Sequence, residues 1–261
     1  MNRGSLFFTA VMFLTRFPVP SGTQHGAFAL AKSVRWWPLV GWLLGMLTGL
    51  MIVAARYIMP PLAASFGGIA GAALMTGCLH EDAFADLCDG FGGWTPARRL
   101  EIMRDSRVGS YGVMGLILVT GLRASLITAM NPFALVFSCA AAMAYARWTA
   151  VLLLKIGDAP TDANSLAAPF SNSISWFDLL LGAVLLLPTM IVAPSAILEL
   201  LVAAVLIATV SARFFAGFTG GITGDCAGAV ILICEIIGLL LLCHANLATS
   251  PIALLLRQRF S

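Results

Sequence analysis

The chain has 261 residues, of which 60% are apolar and only 10% charged, whereas a soluble globular domain carries about 45–50% and about 25%. A mean hydropathy of +0.95 means more apolar surface than a core of this size can hide, which excludes a disordered chain, a collagen, a disulfide-stapled secreted domain and an ordinary cytosolic enzyme. The net charge of +3, with no long basic run, gives no reason to expect nucleic acid as a partner and leaves a polytopic protein of the lipid bilayer.

At the N-terminus, Leu6–Phe17 is apolar but carries Arg16 near its end and has no small-residue cleavage site. It reads as a short interfacial or re-entrant helix rather than a signal peptide. Crossing the hydrocarbon core takes roughly 20 apolar residues. The stretches that meet this are Trp36–Ala55, Leu62–Leu79, Val113–Met130, Phe133–Leu154, Trp176–Ala193, Ser195–Ala212 and Ala227–Cys243, about seven spans. Pro60-Pro61, Asn131-Pro132 and Pro194 mark tight connections, because proline cannot continue a helix from the preceding turn. The expected fold is all-α, one transmembrane bundle over residues 1–261 with no second domain. Gly41, Gly45 and Gly49 recur every four residues, a spacing that lets helix backbones approach; internal packing is expected ahead of a dimer face. The six cysteines form no CxxC pair and lie mostly in apolar stretches, where thiols act as small buried hydrophobes.

With a cytoplasmic N-terminus, Arg3, Arg16, Lys32, Arg35, Arg98, Arg99, Arg104, Arg107, Lys155 and Arg213 fall inside, against Arg56, Arg257 and Arg259 outside. That bias predicts the orientation in a cytoplasmic (inner) membrane, with only the C-terminal tail on an unfavoured side.

Six of the twelve acidic residues lie between Glu81 and Asp105. In the run His80-Glu81-Asp82-Ala83-Phe84-Ala85-Asp86-Leu87-Cys88-Asp89-Gly90, read as a continuation of the second span, Asp82, Asp86 and Asp89 stand at i, i+4 and i+7. They share about a 60° arc of a helix, with Glu81 about 100° away from Asp82. Like charges at this spacing destabilise a helix unless a cation answers them, and an oxygen-rich set suits Mg²⁺, Mn²⁺ or Ca²⁺ rather than zinc. After Gly90-Phe91-Gly92-Gly93-Trp94, Thr95 with Pro96 starts a new helix that brings Arg98, Arg99, Arg104, Asp105 and Arg107. Carboxylates for a metal and guanidinium groups for phosphate oxygens are what a metal-bound phosphate ester needs. The segment at about 80–112 is therefore the expected catalytic part, at the cytoplasmic edge. Gly220-Gly221-Ile222-Thr223-Gly224-Asp225 is a second polar break on the same side, with Asp225 a further metal or hydroxyl ligand. Of the charges inside spans, Arg147 and Glu235 are expected to pair or to meet substrate, and Asp178 to sit near an interface.

At these motifs the chain resembles the cobalamin synthase (adenosylcobinamide-GDP ribazoletransferase) family. The resemblance runs through Leu14-Thr15-Arg16-Phe17-Pro18-Val19-Pro20, His80–Gly90, Glu101-Ile102-Met103-Arg104-Asp105-Ser106-Arg107-Val108-Gly109 and Gly220–Asp225. It departs at Ala83, where the family commonly has glycine. The resemblance implies attack on adenosylcobinamide-GDP by the ribose 3′-hydroxyl of α-ribazole or its 5′-phosphate, release of GMP, dependence on Mg²⁺, and association with other nucleotide-loop assembly enzymes; a homo-oligomer stays open. In this frame Asp82, Asp86, Asp89 and Asp105, with Glu81 in reserve, are the candidate metal ligands, and Asp89 is the candidate general base. Arg104 and Arg107, with His80 and Asp225, are the candidate substrate contacts. A phospholipid-headgroup transferase and a divalent-cation transporter are the competing readings.

Overall fold

A computed structural model describes residues 3–158, 170, 173–191 and 193–248. The described residues form α1 (Arg3–Leu14), α2 (Ala27–Ser33), α3 (Trp37–Ala55), α4 (Pro61–Thr76), α5 (Leu79–Gly90), α6 (Pro96–Met103), α7 (Ser110–Thr128), α8 (Pro132–Ile156), α9 (Trp176–Val184), α10 (Ala196–Phe218) and α11 (Gly224–Ala248), with no strand among them. Five helical segments are long and apolar enough to cross a membrane, and a sixth crossing is made if α4 and α5 count as one span bent by 95°. The seven expected spans are thus five or six. The stretch at 176–193 is a nine-residue helix followed by a 3₁₀ turn at Leu187–Ile191, interrupted where Pro188 cannot donate to the helical ladder. The Leu6–Phe17 stretch is α1, too short to cross. The C-terminal tail with Arg257 and Arg259 lies outside the described residues.

The bundle is built around α8. Its Ala-rich sequence leaves neighbours free to close in, and it is buried from Ala134 to Leu154 almost without interruption, as expected of a helix that is apolar all round. Gly41, Gly45 and Gly49 of α3 lie directly on the α8 backbone, at Met143–Ala144, Cys139–Ala140 and Val136 respectively. The four-residue glycine spacing is therefore used inside one chain. At the opposite side of the bundle α10 turns Leu198, Val202, Val205, Leu206 and Val210 outward, a stripe fit to meet lipid tails. Arg56, expected on the outer side, donates to the carbonyls of Met130 (2.8 Å) and Ile127 (2.9 Å). It caps the end of α7, where a cation meets the negative end of the helix dipole.

The acidic run does not continue the second span. Helix α4 ends in a Schellman turn: the Gly77 N–H bonds to Leu74 O and the Cys78 N–H to Ala73 O, with Gly77 and Cys78 both at positive φ, 67° and 58°. Two consecutive left-handed residues end the helix and turn the chain, and α5 sets off almost perpendicular to α4. Arg16, just after α1, closes the outside of this corner: its N–H bonds to Met75 O at 2.7 Å, and a Cβ on Gly77 would collide with its side chain.

A Gly45→Leu chain should fail to reach the folded, detergent-stable state, because its side chain would have to enter the Cys139–Ala140 backbone. Gly67→Ala, whose added methyl meets nothing within 4 Å, should match or exceed the parent by about 0.5–1 kcal/mol. Thermal midpoints of the purified variants separate the two.

Candidate active site

Helix α5 presents three faces. His80, Ala83, Leu87 and Gly90 are buried, and Ala83 lies against Gly228 of α11. Phe84 and Cys88 lie against Gly115 of α7. Asp82, Asp86 and Asp89 occupy the third face, as their spacing requires, with Asp82 exposed and the other two half-buried.

Two contacts pin α5 at its ends. At its start Glu81 meets Arg123 at 3.4 Å, Arg123 meets Glu235 at 2.6 Å, and Glu235 also accepts from Arg147 at 2.9 Å. The cluster is nearly dry: the Arg147 side chain is 0% exposed and that of Glu235 2%. Removing one member of such a cluster would leave an unanswered charge in the bundle, at a cost of about 3–5 kcal/mol. At its other end Asp89 accepts the N–H of Gly109 at 2.7 Å and of Gly112 at 2.8 Å. Gly109 is the residue before α7 and has no side chain to cap it, so a carboxylate borrowed from α5 satisfies the orphan amides and the positive end of the dipole.

Arg123 lies 13 residues along α7 from Ser110, about 20 Å at 1.5 Å per residue. Helix α5 therefore runs antiparallel to α7 within the depth of the bundle, from the Arg123 cluster to the end where α7 begins. Only the Asp89 end of the acidic run lies at the edge; His80 and Glu81 lie deep.

The acidic face is joined by Asp225, in the first turn of α11. Asp82, Asp89 and Asp225 all lie near enough to act electrostatically on Asp86, and Asp225 in turn feels Asp82 and Arg104. The side chains of Asp82 and Asp86 have no hydrogen-bond or ion-pair partner among the described residues, whereas the Asp225 carboxylate accepts its own backbone N–H. No three His, Cys, Asp or Glu side chains among the described residues converge into a cage for a metal. Mg²⁺ does not ask for one: it is ordinarily held by one or two carboxylates, with water and phosphate oxygens completing the octahedron. Mutually repelling carboxylates with no protein cation on Asp82 or Asp86 fit that role.

Beside this face, Asp89, Arg98, Glu101, Asp105, Arg107 and Tyr111 line a cavity of about 440 Å³. Thr95 caps α6 as expected, accepting the Arg98 N–H. Asp105 is not turned toward Asp82 and Asp86 as a ligand. It binds Arg107 at 2.6 Å, and the Arg107 side chain and backbone N–H hold its carboxyl down at about 2. Arg99, which follows the cap, donates to Gly93 O and Phe218 O and lies 4.4 Å over the Phe218 ring, fastening α6 to the end of α10. Glu81 is spent on Arg123, and His80 is buried on the α11 side. Asp178 is buried among protein groups: it pairs with Arg35 at 2.6 Å and closes a capping box with Ser175.

The dependence on Asp89 gives a stability test. Asp89→Ala should lower the free energy of unfolding by about 1–2 kcal/mol, the worth of an N-cap, and Asp89→Asn by less, as read from thermal midpoints in detergent. The Asp105–Arg107 contact, whose acid has a lowered folded-state pKa, is fully formed above the unfolded carboxylate range and lost only as pH falls through about 2. Activity changes between pH 5 and 9 should therefore persist in Asp105→Asn.

The family model described as cobalamin-5-phosphate synthase matches residues 6–243. Among relatives named adenosylcobinamide-GDP ribazoletransferase, one from Ralstonia pickettii is 34% identical over 88% of this chain and 91% of its own. One from Shewanella amazonensis is 34% identical over 90% and 95%, and one from Azorhizobium caulinodans 37% identical over 87% and 90%. No solved structure matches the chain. With a match that runs from α1 through α11 and takes in the acidic face, the arginines of α6 and the Gly220–Asp225 turn, the chain belongs to the cobalamin-5-phosphate synthase family.

Proposed function

We propose that this chain is a membrane phosphotransferase that joins adenosylcobinamide-GDP to α-ribazole or its 5′-phosphate, giving adenosylcobalamin or its 5′-phosphate and GMP. The observation that carries the reading is the carboxylate face of Asp82, Asp86 and Asp225 set beside a cavity lined by Arg98 and Arg107. Phosphoryl transfer asks a protein mainly for positioning and for charges where charge develops.

In this reading Asp82, Asp86 and Asp225 hold Mg²⁺, and Asp89 and Asp105 stand on the rim. Bound there, Mg²⁺ would neutralise diphosphate oxygens and the GMP oxygen as it leaves. Arg104 and Arg107 bind the remaining phosphate oxygens, a task suited to planar guanidinium groups. Asp89 lines the arginine cavity and acts on Asp86, so it stands where the two halves of the site meet. Each of its oxygens gives one lone pair to a backbone N–H and keeps another, which can accept the proton of the ribose 3′-hydroxyl. That oxygen then bonds to the cobinamide-side phosphorus, and the bond from this phosphorus to GMP breaks. The excess of Arg and Lys on the site's side of the bundle supports a cytoplasmic active site in the inner membrane.

A broken span with carboxylates near the break is also how ion transporters build their sites, and this geometry alone favours that second reading. Family membership and the arginine cavity weigh against it. Asp86→Asn in inserted protein should lower Mg²⁺-dependent GMP release from adenosylcobinamide-GDP and α-ribazole by about 100-fold or more, and Arg107→Ala should raise KM for adenosylcobinamide-GDP by about tenfold. Near-normal turnover of Asp86→Asn overturns the metal assignment. Cation flux into proteoliposomes with no GMP release overturns the enzyme reading.

A further inference from the structure

On the buried side of α5, opposite the acidic face, lies a second cavity of about 150 Å³. Its walls are apolar and partly aromatic, with Phe13, Trp37, Phe170 and Ile231 among them, and its polar groups are His80 and Asp225. His80 is 4% exposed, yet neither Nδ1 nor Nε2 has a hydrogen-bond partner among the described residues. A buried imidazole with two unmet nitrogens is exceptional in a folded protein and points to a group that arrives from outside. Gly228 keeps the wall open beside it: a Cβ there would meet Ala83 and come within 3.9 Å of His80 Nδ1. Exposed Gly224 and half-exposed Asp225 stand at the mouth, and Asp225 also belongs to the carboxylate face.

A closed apolar cavity of this volume holds one benzene ring, and one with an open mouth admits a second fused ring. The corrin of the first substrate is far too large. Guanine and adenine carry amino or carbonyl edges that need several partners, and these walls supply few. A dimethylbenzimidazole is apolar except for one bare ring nitrogen, and a neutral imidazole has one N–H to donate to it. We propose that this cavity receives the base of α-ribazole, with His80 donating to its bare ring nitrogen; the assignment rests on the function proposed above. The ribose then leaves by Asp225 and carries its 3′-hydroxyl toward Asp82, Asp86 and Asp89. His80 is a binding and specificity residue here.

The test is steady-state GMP release by lipid-reconstituted protein with α-ribazole and with the α-riboside of 5,6-dimethylindole, in which C–H replaces the bare nitrogen. The parent protein should show a KM about tenfold higher for the indole compound, the worth of one hydrogen bond. His80→Ala should raise KM for α-ribazole about tenfold, leave KM for adenosylcobinamide-GDP within twofold, and lose the discrimination; His80→Gln, which keeps a donor, should recover part of it. Equal KM values for the two ribosides in the parent protein overturn the assignment without any variant having to fold. So does a His80→Ala effect confined to adenosylcobinamide-GDP. Absence of GMP release from the parent protein with α-ribazole overturns the function itself, a result distinct from either.

Discussion

The structure depends on one constraint: a helix with four acidic residues among its first eleven, Glu81, Asp82, Asp86 and Asp89, is lodged inside an apolar bundle. Burying a carboxylate costs several kcal/mol unless something answers its charge. Glu81 is answered by Arg123, itself tied through Glu235 to Arg147 on α8. Asp89 is answered by the amides that open α7. These contacts hold the helix at both ends, and Asp82 and Asp86 between them have no cationic partner among the described residues. Arg123 and the dipole of α7 are thus spent on positioning the helix, and the middle carboxylates are the ones the proposed function gives to a cation.

The corner at Gly77-Cys78 makes this placement geometrically feasible. A straight continuation of α4 would carry the acidic run on past the bundle. Turned by 95°, α5 instead lies along α7 and α11, with different neighbours for each face: α7 on one side, the His80 cavity against α11 on another, and the cavity lined by Arg98 and Arg107 beyond Asp89. Arg16 braces the outside of the corner, which gives the Leu14–Pro20 motif a structural purpose although it contributes nothing to the acidic face.

Much of this was legible in the sequence where the cause is local. Thr95-Pro96 starts a helix as its cap and first-turn proline imply, and Asn131-Pro132, which marks a tight connection in the sequence, also caps the helix that follows, since both devices act within one turn. The shared face of Asp82, Asp86 and Asp89 needs only helical periodicity, and survived even though the helix carrying it was expected to be an extension of the preceding span. What escaped was either weakly signalled or distant. Gly77 after an apolar run was the sign of a helix end, but a left-handed Cys78 has no sequence signature. Pro188 was the sign that the stretch from Trp176 is not one span. The capture of Asp89 by Gly109 and Gly112, and of Glu81 by Arg123, joins residues 20 to 42 positions apart and follows from docking α5 on α7, which periodicity does not encode. For Arg147 and Glu235, charges at membrane depth leave pairing or a substrate contact open, and the structure shows the pair.

In the proposed function the carboxylates of α5 and α11 hold a divalent cation together with the diphosphate of adenosylcobinamide-GDP. The most direct measurement is Mn²⁺ binding, followed by electron paramagnetic resonance, to purified protein with and without adenosylcobinamide-GDP. The account predicts that the diphosphate tightens Mn²⁺ binding in the parent protein, and that Asp82→Asn and Asp86→Asn each weaken it about tenfold or more while the protein stays folded. Mn²⁺ binding that is indifferent both to the diphosphate and to these two carboxylates would contradict it.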